Sequence, residues 1–229
     1  MAPRPRPHRD TAGKTLLDYP RPSLGVDTAL LTVPEGSDTL QVLLVRRAGS
    51  HRAGAWARPG TFVHEGERLA DAVLRSLRHK AGVEGLAPQQ LHVFDDPARD
   101  DRGRVISVAH LCVVAWPRIA PAVSARDDVR VVPVDEAVGL PYDHDEILAL
   151  AVSELRDRYH EHPDPDRLLP SPFTLLQLRH LHEAVLGRTL PKDTFRRHMQ
   201  PQLKPTNRYQ EGFVGKPALL FRHPRTRPR

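Results

Sequence analysis

The sequence predicts an α+β protein in which a mixed α/β domain is followed by a small winged helix-turn-helix domain. Three observations support this prediction. Strand-like apolar runs and two helical patterns occupy the first 160 of the 229 residues. The segment HEHPDPDRLLPSP, rich in proline and charge, then interrupts the pattern as a linker would. Beyond it, the order helix, turn, helix and hairpin is that of a winged helix.

These patterns divide the chain into five predicted parts. The N-terminal stretch MAPRPRPHRD, rich in proline and arginine, is interpreted as a disordered arm. The parts are a disordered basic arm (1–18), the first domain (19–160), a linker (161–172), the winged-helix domain (173–223) and a basic tail (224–229).

The first domain is predicted to contain four strands and two helices. Apolar runs at residues 26–33 and 40–45 form a hairpin that is closed by the turn sequence PEGSD. Two further strands are expected at residues 91–94 and 105–114, with the polar loop DDPARDDRGR between them. The second helix is expected at residues 144–160.

The first helix follows a long loop, residues 46–67, that contains four glycines. We expect this helix at residues 69–81, and Gly82 ends it because glycine adopts the left-handed conformation most easily. One face is predicted to be buried, since apolar residues recur every four positions: Leu69, Val73 and Leu77.

The winged-helix domain is predicted from its local signals. Thr174 and Gln177 form a capping box that begins a helix at residues 175–186, and Gly187 ends it. A short second helix lies in PKDTFRRHMQ and stops at Pro201. The sequence NRYQEGFVGKPALLFRH alternates as a two-stranded hairpin would.

Charge points to a polyanionic partner. The net charge is +6 and the pI is about 9.9, which suits nucleic acid, a nucleotide or a membrane surface. Only five of the 34 basic residues are lysine, and arginine binds phosphate and guanine through two hydrogen bonds at once. A solvated basic surface without a partner is the alternative.

Cysteine content and hydropathy bear on the compartment. Cys112 is the single cysteine, so no disulfide can form within the chain, and a reducing, cytoplasmic compartment is expected. Its apolar neighbours predict that this thiol is a small buried side chain. No apolar run approaches the roughly 20 residues of a membrane span, and the N-terminus lacks the apolar region of a signal peptide. We therefore expect no membrane partner.

The loop and first helix carry a known motif. The sequence PGTFVHEGERLADAVLRSLRHKAGV resembles the Nudix box of the Nudix hydrolase superfamily, G-x5-E-x7-R-E-U-x-E-E-x-G-U, in which U is aliphatic. The matching positions are Glu67, Arg75, Leu77, Gly82 and Val83. Thr61 stands at the first glycine, and the three helix glutamates are replaced by Ser76, His79 and Lys80. The resemblance implies a Nudix α/β/α sandwich for the first domain.

The missing glutamates argue against catalysis. Glutamates at these spacings share one helix face and bind Mg²⁺ or Mn²⁺. Here the same face is expected to carry Ser76, His79 and Lys80, which leaves Glu67 without partners. The ammonium of Lys80 would repel a cation at about 4 Å by about 4 kcal/mol per unit charge. We therefore predict no catalytic residues, no metal site and no enzyme activity. The alternative is a Nudix-type nucleotide pyrophosphohydrolase with an atypical metal site.

A nucleotide pocket is predicted to survive without the metal site. Cationic side chains around the box can attract phosphates directly, whereas a bare scaffold without a ligand is the alternative. The candidate ligand-binding residues are Arg47, Arg58, Lys80, Arg99 and Arg104.

The second domain identifies a family. LLPSPFTLLQLRHLHEAVLGRTLPKDTFRRHM and GKPALLFRH, together with RDDRGRVIS in the first domain, are similar to the Nudix-related transcriptional regulators (NrtR), over residues 19–222. The resemblance implies a homodimeric repressor of NAD or pentose metabolism that binds a double-stranded DNA operator. It also implies that a nucleotide effector such as ADP-ribose binds the Nudix domain and releases the DNA, with no other cofactor.

The residues themselves also favour DNA binding. Phe195 and Met199 lie four apart and should pack inward, which turns the basic residues of the second short helix outward. The candidate DNA-binding residues are Thr174, Lys192, Thr194, Arg196, Arg197, Arg208 and Lys216. Arg196 and Arg197 can read guanine, whereas lysine and threonine more often contact phosphate. A solvated helix face, in a ligand-binding protein that contacts no DNA, is the alternative.

Overall fold

A computed structural model describes residues 8–49, 51–210 and 217–223 of the chain. The elements of the first domain are β1 Ser23–Thr32, β2 Gln41–Arg46, β3 Trp56–Ala57, β4 Gly60–Phe62, α1 Leu69–Ser76, β5 Gln89–Phe94, β6 Val105–Val113, α2 Ala120–Ser124, β7 Val129–Pro133 and α3 His144–Glu161. The elements of the second domain are β8 Phe173–Thr174, α4 Leu175–Leu186, α5 Lys192–Met199, β9 Lys204–Tyr209 and β10 Leu219–Arg222.

The first domain is a sheet covered by helices on both faces. The strand order is β3-β2-β1-β6-β5, β1 and β6 run parallel, and β4 and β7 pair with β1 and β2. The predicted β1–β2 hairpin is confirmed, with Leu31 opposite Val42. Because strand side chains alternate, Leu30 packs against α1 while Leu31 packs against α3. The expected α/β/α sandwich is therefore confirmed.

The first predicted helix is confirmed in extent, but it has two parts. α1 ends at Ser76, and residues 77–81 form a π turn that Gly82 closes with a φ of 70°. The long loop before it was predicted without strands and contains β3 and β4. These strands have two and three residues, too few for an alternating pattern, and they form by pairing with β2 and β1.

The described part of the predicted disordered arm has local structure. Thr15 caps a 3-10 turn at Leu16–Asp18, and Asp10 accepts hydrogen bonds from the backbone of Ala12 and Lys14. The short polar side chains satisfy the turn locally, so residues 8–18 need no packing against the sheet. The prediction for residues 1–7 lies outside the described residues.

The predicted linker is a packed joint, so its interpretation as a free linker was wrong. Asp164 lies within it and is 1% exposed. Its carboxylate accepts hydrogen bonds from the Tyr159 hydroxyl at 2.9 Å and from the backbone N–H groups of Leu168 at 2.8 Å and Leu169 at 2.9 Å. A buried carboxylate requires such donors, and they fold the segment against the end of α3.

The second domain has the predicted winged-helix order. β8, β10 and β9 form a three-stranded sheet. The capping box at Thr174 and Gln177 and the left-handed Gly187 are confirmed at the two ends of α4. Residues 211–216, between β9 and β10, and the predicted tail at 224–229 lie outside the described residues. Within the described part, no helix is long and apolar enough to cross a membrane.

Candidate ligand cavity and nucleic-acid interface

A cavity of about 480 Å³ opens between β1, the loop before α1, the π turn and the start of α3. Four of the five predicted ligand residues line it: Arg47, Arg58, Lys80 and Arg99. Arg104 does not belong to the lining, which corrects its predicted role. Its guanidinium donates to the carbonyl of Asp95 on the outer side of the loop that precedes β6.

Arg58 is the most unusual residue of the cavity. It is 2% exposed, and within the described residues its guanidinium nitrogens have no hydrogen-bond partner. Burial lowers the pKa of Arg58 to about 10, although Asp27 nearby acts in the opposite direction. The side chain is therefore still charged at neutral pH. A buried charge without partners is unfavourable in the free protein.

Asp27, in the middle of an apolar strand, organises the floor of the cavity. It accepts a hydrogen bond from the Ser107 hydroxyl at 2.6 Å, and His144 lies 3.3 Å away. Burial alone would raise the pKa of Asp27, but the charges of His144 and Arg58 outweigh it and lower the pKa. The backbone of Gly60 lies against this carboxylate. A Cβ at position 60 would lie 2.0 Å from a carboxylate oxygen of Asp27.

Arg99 lines the cavity, but its charge is already neutralised. Its guanidinium donates two hydrogen bonds to Asp143, at 2.6 and 2.7 Å, and lies 3.6 Å from Asp27. Burial alone would lower the pKa of Arg99, but the bonds to Asp143 raise it. Arg99 therefore lines the cavity and is also hydrogen-bonded to Asp143, the residue that precedes α3. Asp27, Asp143 and His144 were not among the predicted site residues, and an acid inside the apolar run of β1 is the one signal for them in the sequence.

The predicted shared face of Ser76, His79 and Lys80 was wrong for Ser76. That serine is 2% exposed and lies outside the cavity lining, whereas His79 and Lys80 line it. The π turn begins one residue after Ser76, so ideal α-helical spacing no longer relates these positions. The Lys80 ammonium donates to the carbonyl of Gly60, and its pKa is lowered, first by burial and then by Arg47.

Glu67 has partners, contrary to the prediction. It accepts hydrogen bonds from the Arg75 guanidinium at 2.7 and 2.8 Å and from the His64 backbone at 2.9 Å. The bonds from Arg75 lower the pKa of Glu67 to about 2, with the His64 bond second. The remaining box acid thus fastens the loop to α1.

The donor set does not fit the metal that the Nudix fold implies. Mg²⁺ beside a diphosphate is usually held by one or two carboxylates together with the phosphates and water. The carboxylates that line the cavity are already engaged, Asp27 by Ser107 and His144, Asp100 by Arg102 and Asp128 by Arg126. The described residues also contain no group of three His, Cys, Asp or Glu that could hold a metal ion. Glu67 is held by Arg75, and an ammonium lies at the cavity wall instead.

One wall of the cavity combines aromatic rings with guanidinium groups. Tyr142, at a φ of 61°, has the guanidinium carbons of Arg47, Arg52 and Arg102 at 5.4, 4.9 and 5.5 Å from its ring centre. Arg102 also lies 5.4 Å from the ring centre of Phe62. These guanidinium groups lie over the rings, and a planar base can stack on a flat guanidinium group.

The second short helix presents a basic face to solvent. Phe195 and Met199 are buried at 6% and 4% exposure, as predicted. The residues predicted to face outward are all exposed: Lys192, Thr194, Arg196 and Arg197 on α5, and Gln200 at its C-cap. Asp193, which would oppose phosphate contact, lies 3.7 Å from Arg196 and is therefore paired. The geometry suits insertion of α5 into a DNA groove.

The other predicted DNA residues have different positions. Arg208 is exposed on β9. Thr174 is 3% exposed, and its hydroxyl accepts the Gln177 backbone N–H at the start of α4. It is therefore withdrawn as a DNA contact, because the cap uses its side chain. Lys216 lies outside the described residues.

Helix α3 connects the cavity with the basic helix. His144 is its first residue and lines the cavity, and Tyr159 in its last turn reaches the joint. There the ring of His182 lies 5.0 Å from Tyr159 and 5.1 Å from Phe195 of α5. Burial lowers the pKa of His182 to about 4, against the charge of Asp164. This packed chain of rings lies between the two sites.

Two family models match the chain. The NUDIX domain model matches residues 24–154, and the model of the NrtR DNA-binding winged helix domain matches residues 166–223. The second match begins inside the joint, and together the two models span both predicted domains.

Similar proteins include one named repressor and two solved structures. The ADPR responsive transcriptional repressor NtrR of Acinetobacter baylyi is 30% identical over 210 residues, which are 90% of this chain and 83% of that protein. NrtR of Shewanella oneidensis complexed with a 27mer DNA has a TM-score of 0.74 and 30% identity, covering 86% of this chain and 92% of that chain. The NUDIX domain of S. oneidensis NrtR complexed with ADP ribose has a TM-score of 0.54 and 28% identity, covering 60% of this chain and 95% of that chain.

Proposed function

The chain belongs to the NrtR family of Nudix-domain regulators, and on this premise we propose that it is a transcriptional repressor that ADP-ribose releases from DNA. The observation that carries the proposal is a single helix, α3, which begins at a cationic cavity and ends against His182 of α4, and the ring of His182 in turn contacts Phe195 of the basic helix α5. The relatives support the ligand and the DNA, since one is named as ADPR responsive and another was solved with a DNA duplex.

The cavity matches the chemistry of ADP-ribose in two parts. The diphosphate requires cations, which Arg58, Lys80 and Arg47 supply. The adenine requires a flat surface, which the rings and guanidinium groups around Tyr142 provide. A phosphorylated sugar would fill the cationic part alone, so adenine nucleotides and sugar phosphates are the two ligand sets to compare.

The basic helix is proposed to read DNA in a homodimer. Arg196 and Arg197 are positioned to reach base edges, while Lys192, Thr194 and Arg208 suit phosphate contacts. A dimer would place two α5 helices on half-sites about one helical turn apart. Targets in NAD or pentose metabolism, and action in the cytoplasm with the chromosome, are proposed from the family resemblance.

We also propose that the protein does not hydrolyse its ligand. The acid that remains in the box is bonded to Arg75, and Lys80 contributes positive charge where the family uses acids. Chromatography after incubation of ADP-ribose with the protein and Mg²⁺ or Mn²⁺ tests this. We expect intact ADP-ribose, and turnover near about 1 s⁻¹, an ordinary enzymatic rate, would favour a pyrophosphohydrolase.

The experiment that tests the function is a DNA titration at fixed salt. An operator is first selected by the full chain from random duplexes and then titrated with and without saturating ADP-ribose. Coupling of the usual size weakens operator binding by about 5- to 150-fold. The Arg196→Ala, Arg197→Ala double variant should lose about 1–3 kcal/mol for each base-reading arginine. Unchanged operator affinity with bound ADP-ribose would refute the switch, and full binding by the double variant would refute the assigned helix.

A further inference from the structure

The position of Arg58 is unfavourable unless a ligand completes it. The guanidinium is nearly inaccessible to solvent, remains protonated and has no hydrogen-bond partner within the described residues. Nearby acids act on it only through space, because Asp27 uses its hydrogen bonds on Ser107 and His144, and Asp143 is bonded to Arg99. A guanidinium has five donors in a fixed fork, and this fork matches two phosphate oxygens.

Lys80 brings a second positive charge to the same segment. Its ammonium donates to the carbonyl of Gly60, which lies two residues after Arg58, so Lys80 is bonded to the short stretch of the box loop that carries Arg58. One of three ammonium donors is used there, and the others remain for a ligand. Both side chains line the one cavity.

The surroundings of Lys80 do not offer a divalent cation a place. Glu67 is bonded to Arg75 and to the His64 backbone, and the described residues hold no cluster of three metal-binding groups. The positive charge that a metal would bring to a diphosphate is instead present in covalently attached form. A metal ion entering this site would be repelled by both fixed cations.

We propose that Arg58 and Lys80 bind the diphosphate of the effector directly, so that this chain recognises its nucleotide without a divalent metal ion. The inference rests on the proposed function, because it concerns the ligand of the same cavity. Arg58 is the anchor, and Lys80 replaces the charge of the metal.

Calorimetry with the full chain tests the proposal. ADP-ribose is titrated in buffer with excess EDTA and again with millimolar Mg²⁺, and inorganic pyrophosphate serves as the probe of the diphosphate alone. We expect the same ADP-ribose affinity in both buffers. Arg58→Leu and Lys80→Met should each weaken binding roughly 10- to 150-fold, the range of a lost charge-assisted hydrogen bond.

Two further variants make the test specific. Lys80→Glu places an acid at the cavity wall. The affinity of this variant for ADP-ribose should be low in EDTA and should rise when Mg²⁺ is added. Arg78→Glu makes the same charge change two residues away at an exposed position outside the cavity lining, and it should bind as the parent does in both buffers. Lys80→Met changes an exposed residue, so it keeps the proposal testable even if Arg58→Leu does not fold.

The outcomes separate this inference from the proposed function. ADP-ribose binding that appears only with Mg²⁺, or parental affinity in both Arg58→Leu and Lys80→Met, overturns the inference while the repressor function can stand. Failure of ADP-ribose and pyrophosphate to bind in either buffer overturns the inference as well. Tight binding in EDTA that leaves operator affinity unchanged supports the inference and overturns the proposed switch.

Discussion

Two buried charged side chains near opposite ends of α3 contrast sharply in their partners. Asp164, in the joint, is 1% exposed and accepts hydrogen bonds from Tyr159 and two backbone N–H groups, with His223 Nε2 at 2.8 Å. Arg58, at the cavity, is 2% exposed and has no hydrogen-bond partner within the described residues.

This difference indicates that the Asp164 site serves the fold, whereas the Arg58 site serves ligand binding. A buried charge with a complete set of partners fixes one conformation, and removing it leaves the donors unsatisfied. A buried charge without partners lowers the stability of the free protein, and it acquires hydrogen-bond partners when an anion binds. The joint is therefore expected to hold the two domains in one arrangement, while the cavity is expected to respond to its ligand.

The largest change in the free energy of unfolding is expected from a substitution of Asp164, whose carboxylate has a full set of hydrogen-bond donors. Asp164→Asn keeps the side-chain shape and tolerates the positive φ of 49°, but it removes the charge and one acceptor. Two of its four donors then lose their acceptor, which costs about 1–3 kcal/mol of unfolding free energy for each buried group left unsatisfied. Urea unfolding measures this, and Asp157→Asn, on the exposed face of α3, should change stability by less than about 0.5 kcal/mol. Equal losses in both variants would contradict the assigned role of Asp164.

Removing the Arg58 charge, which has no hydrogen-bond partner within the described residues, should raise the free energy of unfolding, whereas removing the Asp164 charge lowers it. Arg58→Leu takes a buried guanidinium out of an environment that lowers its pKa from 12.5 to about 10, so the free protein should gain up to about 3 kcal/mol of unfolding free energy, the equivalent of that shift. Thermal unfolding without ligand measures the change, and addition of ADP-ribose should then raise Tm less than it does in the parent. A lower Tm for the ligand-free variant would mean that Arg58 stabilises the fold, and the contrast with Asp164 would disappear.

The joint should weaken in acid because His182 is held neutral. Burial lowers the folded-state pKa of His182 to about 4, so between pH 6.5 and 4 the unfolded chain binds more protons. Stability is full above the ordinary pKa of about 6.5 and falls as pH drops toward 4, by up to about 3 kcal/mol. Urea unfolding at pH 7 and pH 5 measures this. His182→Gln should flatten the pH dependence, whereas His180→Gln, at an exposed position, should leave it unchanged.

The smallest effect distinguishes a helix cap from a DNA contact. Thr174 caps α4 from a buried position, so Thr174→Ala should lower the unfolding free energy by about 1 kcal/mol. Operator affinity, measured well below the unfolding temperature, should equal that of the parent. A loss of affinity with unchanged stability would restore Thr174 as a DNA contact.

Local signals in the sequence predicted local structure. Gly82 and Gly187 mark helix ends because left-handed residues favour glycine, and both have positive φ. The spacing of Phe195 and Met199 correctly identified the buried face of α5, and therefore its exposed basic face. These signals depend on neighbours in the chain, so a single sequence contains them.

Features that depend on distant partners could not be predicted. The segment around Asp164 has the proline-rich composition of a linker, but its packing depends on Tyr159 and on His223, 59 residues away. The acids near Arg58 and Arg99 are Asp27 on β1 and Asp143 just before α3, and no local pattern joins these two positions. Strand β7 was not predicted. Its five residues show no alternating burial, and they form a strand by pairing with β2.

The central claim, that the cavity and the basic helix are coupled, is tested most directly by reciprocity. The ADP-ribose affinity of the free protein is compared with that of the operator-bound protein at one salt concentration. Linkage predicts that operator DNA weakens ADP-ribose binding by the factor with which ADP-ribose weakens DNA binding, about 5- to 150-fold. Equal ADP-ribose affinity in the free and operator-bound protein would show that α3 carries no coupling and would contradict the account.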